Sequence, residues 1–123
     1  MTKKSTRLVP MAGMVILLAG PLQVATVAAA EGASAVAEGK AISFARSKGN
    51  CLACHMIEGG ESPGNVGPPL IAMKARYPDK AKLRAQIFDA TAFNPDSAMV
   101  PFGKHRILTE DEIDKVTEYI WTL

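Results

Sequence analysis

The sequence predicts a small all-α domain. No stretch alternates between polar and apolar residues with the period of a β-strand. The clearest helix lies at the C-terminal end, where Thr109 and Glu112 have the spacing of a capping box and an apolar stripe follows at Ile113, Val116 and Ile120. We therefore expect four to five helices joined by long loops, within one domain covering residues 31–123.

The other elements are predicted from local composition. Residues 34–48 are rich in alanine and have helical spacing, and Gly49-Asn50 ends that helix. Residues 58–69 contain several glycines and prolines, which predict a loop.

Two more helices are predicted before an irregular stretch. Residues 70–77 suit a short helix that Pro78 interrupts, and Asp79 is a suitable N-cap for a further helix over 80–90. Residues 97–108 contain Met99, Pro101 and Gly103 and leave little room for a long helix.

Residues 1–30 resemble a cleaved export signal. A basic start precedes an uncharged run from Leu8 to Ala30, which ends in three alanines before Glu31. We expect cleavage after Ala30, a periplasmic location and no stable membrane insertion afterwards; an uncleaved membrane anchor is the alternative. Removing the segment leaves 11 basic and 12 acidic residues, so the net charge changes from +2 to −1 and indicates no nucleic-acid partner.

The segment Cys51-Leu52-Ala53-Cys54-His55 predicts a cofactor site. Cys-x-x-Cys-His is the attachment motif of a c-type haem, in which both thiols bond to the porphyrin and the histidine ligates its iron. A thioredoxin-like site is disfavoured because no strand precedes the motif. A zinc site that also used His105 is disfavoured because neighbouring Cys54 and His55 suit one tetrahedral ion poorly. We therefore predict one covalently attached haem c.

The sixth iron ligand decides what such a haem can do. The candidates are Met56, Met73, Met99 and His105. Met56 directly follows the proximal histidine, and Met73 lies in a predicted helix where packing is its ordinary role. Met99 lies in a loop beside Pro101 and is favoured, with His105 as the alternative. A methionine ligand leaves no open position for substrate, so it indicates electron transfer and no catalytic residue in this chain.

These features together resemble the class I cytochromes c. The resemblance rests on Cys-x-x-Cys-His after a helix, Gly-Pro-x-Leu at 67–70, a loop methionine and a C-terminal helix. It implies that the carbonyl of Pro68 orients His55, that Leu70 packs against the haem, and that Met99 is the axial ligand. It also implies that the first and last helices cross beside the haem.

Four stretches resemble more narrowly the SoxX family, the monohaem subunits of the SoxAX cytochromes of thiosulfate oxidation. They are residues 49–55, 63–70, 82–91 and 99–109. Val100 stands where a second proline is expected. The resemblance implies a heterodimer with a SoxA-type cytochrome subunit of one or two haems, which joins thiosulfate oxidatively to a cysteine of the carrier SoxYZ. This chain would accept the electrons and pass them to a soluble cytochrome.

Two other functions are compatible with the residues. One is a free-standing periplasmic electron shuttle. The other is a peroxidase-like enzyme, which requires Met99 to leave the iron. The stretch 82–91 is compatible with a docking surface and also with a solvated amphipathic helix.

Overall fold

The fold is all-α, as the sequence predicts. The computed structural model describes residues 22–123, and that part contains four α-helices and two short 3-10 helices but no strand. The α-helices are α1 (Leu22–Phe44), α2 (Met73–Arg76), α3 (Lys80–Phe88) and α4 (Glu110–Ile120). The 3-10 helices cover Cys51–Ala53 and Ala90–Ala92.

Helices α1 and α4 pack against each other and form one side of the core. Gly39 permits the close approach, because a Cβ added there would lie 1.9 Å from the carbonyl oxygen of Lys115. Nearby, the rings of Phe44 and Tyr119 meet edge to face with centroids 6.3 Å apart. The crossing of the first and last helices that the family resemblance implies is therefore present.

Helix α4 begins and packs as its sequence predicts. The Thr109 hydroxyl accepts from the backbone N–H of Glu112, whose carboxylate accepts from the N–H of Thr109 at 2.9 Å. The apolar stripe is buried, with Ile113 0%, Val116 1% and Ile120 3% exposed. Because these side chains share one face, α4 contributes the largest continuous part of the core.

Helix α3 also begins at its predicted cap. Asp79 accepts from the N–H of Ala81 at 2.9 Å, and Leu83 and Ile87 are buried. The helix ends at Phe88, two residues before the predicted end, because Asp89 leaves the helical conformation and its side chain caps the next 3-10 turn through Thr91.

Two other helix boundaries differ from the predictions. Helix α1 ends at Phe44, not near Lys48, because Gly49 donates back to the carbonyl of Ile42 at 3.1 Å and a turn replaces the last helical turn. The predicted helix over 70–77 is reduced to α2, since Ala72 adopts a left-handed φ of 51° before it.

The predicted export signal lies mainly outside the described residues, which begin at Leu22. Its described part, residues 22–30, belongs to α1, which continues past the expected cleavage point after Ala30. Within residues 22–123, no helix is both long enough and apolar enough to span a membrane.

Candidate haem site

The predicted site residues meet around one cavity of about 350 Å³. Cys51, Cys54 and His55 line it, and so do Leu70 and Met99. The rest of the lining is mostly apolar and comes from α2, α3, α4 and the loop before α4: Met73, Leu83, Ile87, Phe102, Leu108, Val116 and Ile120. Such a cavity suits a large, flat, apolar ligand with a few fixed polar contacts.

The local backbone places both thiols at the cavity. Asn50 takes a left-handed φ of 46°, which turns the chain from the end of α1 into the 3-10 helix Cys51–Ala53. His55 donates its backbone N–H to the carbonyl of Cys51 at 2.9 Å, closing the turn. The two cysteines are half-buried and do not form a disulfide with each other. Burial raises the pKa of the Cys51 thiol, and a hydrogen bond with Ser43 partly offsets the increase.

A hydrogen bond to the loop 67–70 holds the imidazole of His55. Its Nδ1 lies 2.7 Å from the carbonyl oxygen of Pro68, the contact that the family resemblance implies. A carbonyl only accepts, so Nδ1 carries the proton and Nε2 keeps a free lone pair for a metal. Gly67 permits this arrangement, because a Cβ added there would lie 2.3 Å from Cε1 of the ring. The loop is fixed in turn by the Gly67 N–H, which donates to the Cys54 carbonyl at 2.8 Å.

The candidates for the sixth ligand occupy different places. Met99 lines the cavity from the irregular loop before α4, whereas His105 is exposed and does not line it. Met56 is 55% exposed and also lies outside the lining. Met73 reaches the cavity, but it is 2% exposed within the core and its sulfur lies 3.5 Å from Nη1 of Arg76.

Comparison with known proteins identifies the family of this chain. A family model described as cytochrome c matches residues 36–123. The chain belongs to the cytochrome c family. A protein of Aquifex aeolicus (strain VF5), described as an uncharacterized lipoprotein, is 34% identical over 74 residues. That match covers 59% of this chain but only 36% of the relative, so the chain spans about a third of the relative's length.

Family membership establishes a covalently attached haem c and an electron-transfer role. The residues present fit this cofactor: Cys51 and Cys54 supply the thiols, His55 supplies a correctly protonated imidazole, and the cavity is apolar. When bound, the haem provides a one-electron couple at its iron. The protein supplies the attachment, the orientation of the ligand and a mostly apolar cavity.

The charged residues that line the cavity are all basic. They are Arg46, Lys48 and Arg76, and no carboxylate joins them. Lys48 is also paired with Glu112 at 2.5 Å, and Nη1 of Arg76 donates to the carbonyl of Pro69 at 2.7 Å. A cationic lining suits the carboxylate groups of a haem.

Two residues of the site were not predicted from the sequence. The sequence places Gly67 in a loop and in the Gly-Pro-x-Leu motif, but neither shows that the space it leaves holds the ring of His55. The sequence shows Gln86 only as a member of the stretch 82–91, yet it lines the cavity and its Nε2 lies 4.0 Å from Sδ of Met99. The regular spacing of Leu83 and Ile87 in α3 indicated which face is buried, and Gln86 precedes Ile87 on the edge of that face.

Proposed function

We propose that this cytochrome is the electron-accepting subunit of a SoxAX-type complex of thiosulfate oxidation. The observation that carries the proposal is the packing of two of the stretches that resemble SoxX, residues 82–91 and 99–109, which carry most of the specificity of that resemblance. These stretches lie against each other and together form one wall of the cavity. A generic electron carrier does not require this pairing.

The contacts between the two stretches are specific. The N–H groups of Gly103 and Lys104 both donate to the carbonyl of Phe88, at 3.0 and 3.3 Å. Nζ of Lys104 lies 2.9 Å from Oδ2 of Asp89 and 3.4 Å from Oγ1 of Thr91. Gly103 is required for the contact, since a Cβ there would lie 2.0 Å from the ring of Phe88. The similarity to SoxX therefore covers one connected unit beside the haem and not two unrelated surface segments.

In the proposed reaction, the chemistry takes place on the partner. A SoxA-type subunit holds thiosulfate and a cysteine thiol of the carrier SoxYZ, and a sulfur–sulfur bond forms between them with loss of the thiol proton and two electrons. This cytochrome accepts the electrons one at a time, because it has one haem, and passes each to a soluble cytochrome. Enzymatic activity belongs to the complex, and no residue of this chain acts on thiosulfate.

The role requires an iron that is ligated on both faces, and we propose Met99 as the second ligand. Met99 lies at the cavity and His105 does not, which supports the methionine. We expect Met99→Leu to abolish the weak far-red absorption band of the oxidised cytochrome. The matched control is Met73→Leu, which also replaces a cavity-lining thioether and should leave the band in place. A band that is lost only in Met73→Leu or His105→Ala contradicts the assignment.

Co-purification and reduction kinetics test the subunit role. The full chain is expressed with a SoxA-type partner in an exporting host and purified through a tag on the partner. We expect both chains in equal amounts, and we expect thiosulfate with SoxYZ to reduce this haem only when the partner is present. A cytochrome that elutes alone, and that thiosulfate does not reduce with the partner added, indicates a free-standing shuttle.

Export is part of the same proposal. The 14 residues 31–44 of α1 remain after cleavage behind Ala30, and they include Gly39 and Phe44, which contact α4. The intact mass of the exported holoprotein is expected to correspond to a chain beginning at Glu31. The relative's description as a lipoprotein is not transferred to this chain, in which both cysteines belong to the haem motif.

A further inference from the structure

Helix α2 is capped at both ends by one short segment that follows α4. A four-residue helix is unstable by itself, because forming its first turn fixes several residues for a single hydrogen bond. At its start, the N–H of Met73 donates to the main-chain oxygen of Leu123 at 2.8 Å, and the N-cap residue supplies no side-chain acceptor. At its other end, the carbonyl of Tyr77 accepts from the indole N–H of Trp121 at 3.1 Å. Residues 121–123 therefore replace the local caps that α2 lacks.

Two lysines fix the indole ring of Trp121 in this position. Nζ of Lys74 in α2 lies 4.8 Å from the ring centroid, and Nζ of Lys80 at the start of α3 lies 4.6 Å from it. An ammonium group within about 6 Å of an indole is attracted by the ring. Lys80 also pairs with Glu118 of α4 at 2.7 Å. The ring thus joins α2, the start of α3 and the end of α4 at one point.

The helix that this segment caps is part of the wall of the haem cavity. Met73 and Arg76 of α2 line the cavity, and so does Tyr77 directly after the helix. Met73 is 2% exposed, so its side chain belongs to the core as well as to the wall. Local opening of α2 would therefore admit water to the cavity.

We propose that residues 121–123 are a clamp that keeps α2 closed over the haem cavity, with Trp121 as its positioning residue. The inference concerns the haem that family membership establishes, and it depends neither on the sixth ligand nor on the partner. The oxidised iron is more positively charged than the reduced iron, and water stabilises the more charged state. By limiting the access of water, the clamp favours the reduced haem and raises the reduction potential.

Hydrogen exchange and redox titration of the holoprotein test the clamp. Trp121→Phe keeps an aromatic ring beside the lysines and removes the indole N–H. The amide of Tyr77, which donates to the carbonyl of Met73 at 2.7 Å, reports the opening of α2. For Trp121→Phe we expect this amide to exchange about two- to tenfold faster, the range that corresponds to one lost hydrogen bond, and the reduction potential to be lower.

The matched control is Thr109→Ala, which removes a helix cap at the other end of α4. The hydroxyl of Thr109 accepts from a backbone N–H, and the residue lies outside the cavity lining. The control loses a comparable hydrogen bond, but we expect it to leave the exchange of the Tyr77 amide and the potential unchanged. If Trp121→Phe equals Thr109→Ala in both measurements, the clamp is wrong. If the Tyr77 amide exchanges faster while the potential stays the same, the segment stabilises α2 without acting on the haem site, and the positioning role is wrong.

A second pair of variants covers the case in which Trp121→Phe does not accumulate as holoprotein. Lys74→Gln removes an ammonium group that lies over the indole ring, whereas Lys82→Gln removes one from an exposed side chain of α3. Both changes remove one positive charge, so the two variants are matched in charge. We expect the Tyr77 amide to exchange about two- to fivefold faster in Lys74→Gln than in Lys82→Gln. Equal exchange in the two variants would overturn the proposal.

Discussion

Substituting Gly67 by alanine tests how His55 is held. The added Cβ would lie 2.3 Å from Cε1, 2.6 Å from Nδ1 and 2.8 Å from Nε2 of the imidazole. Ordinary contact begins at 3.4 Å, so the ring or the loop must move by about 1.1 Å, the difference between 3.4 and 2.3. That movement is about twice the ~0.5 Å within which a functional group must be held.

The Gly67→Ala substitution is expected to lower the stability of the fold and to weaken the ligation of the iron by His55. Forcing an extra methyl group into a packed site costs about 1–3 kcal/mol, and 2 kcal/mol lowers Tm by roughly 8–16 °C in a domain of this size. Disturbing the contact between His55 and Pro68 removes the hydrogen bond that orients the imidazole, and losing such a partner weakens metal ligation by about 10–100-fold. Because protons compete with the iron for the imidazole, the acid midpoint of His55 release rises by about 1–2 pH units.

Thermal unfolding and an acid titration of the Soret band measure these two effects. The control is Gly32→Ala, because a Cβ at Gly32 meets no atom within 4 Å. We expect Gly67→Ala to be less stable and to release His55 at higher pH than both the unsubstituted protein and the control. Equal melting temperatures and equal acid midpoints would show that the 67–70 loop moves freely and does not orient the ring.

Three further predictions concern helix α4. Ile113→Ala removes a side chain that is 0% exposed, and we expect about 2–5 kcal/mol lower stability in denaturant titration. Thr109→Ala removes the N-cap hydroxyl, with an expected loss of about 1 kcal/mol in the same assay. Hydrogen bonding, first from Lys48 and then from the Thr109 backbone, lowers the pKa of Glu112. Its stabilisation is therefore complete above the unfolded pKa of about 4.3 and is lost as the pH falls below it. Glu112→Gln is expected to flatten this pH dependence of unfolding, whereas Glu61→Gln in an exposed loop should retain it.

The features that could be predicted from the sequence depend on neighbouring residues. The capping box of α4 needs only Thr109 and Glu112 three positions apart, and the N-cap of α3 needs only Asp79 before a helical stretch. The haem motif is equally local, since Cys51 to His55 form one turn. For these features, the bonding partners are fixed by spacing along the chain before any tertiary structure forms.

The features that could not be predicted depend on contacts between distant segments. The end of α1 at Phe44 is the local exception, since it depends on the turn in which Gly49 folds back to Ile42. The role of Gly67 depends on the ring of His55, which lies beside it only after the loop has closed. Gln86 belongs to a helix with a clear apolar face, but nothing in α3 alone shows that a loop methionine comes within 4.0 Å of its amide.

The two proposed axial ligands are held with unequal strength, which separates stability from redox tuning. On one side, His55 has a 2.7 Å contact with a carbonyl and a ring enclosed by Gly67. On the other side, Met99 has a 4.0 Å contact between an amide and a weak sulfur acceptor, in a loop without helical structure. Changes on the histidine side are therefore expected to affect stability and ligation first. Changes around Met99 are expected to alter the reduction potential while the fold is retained.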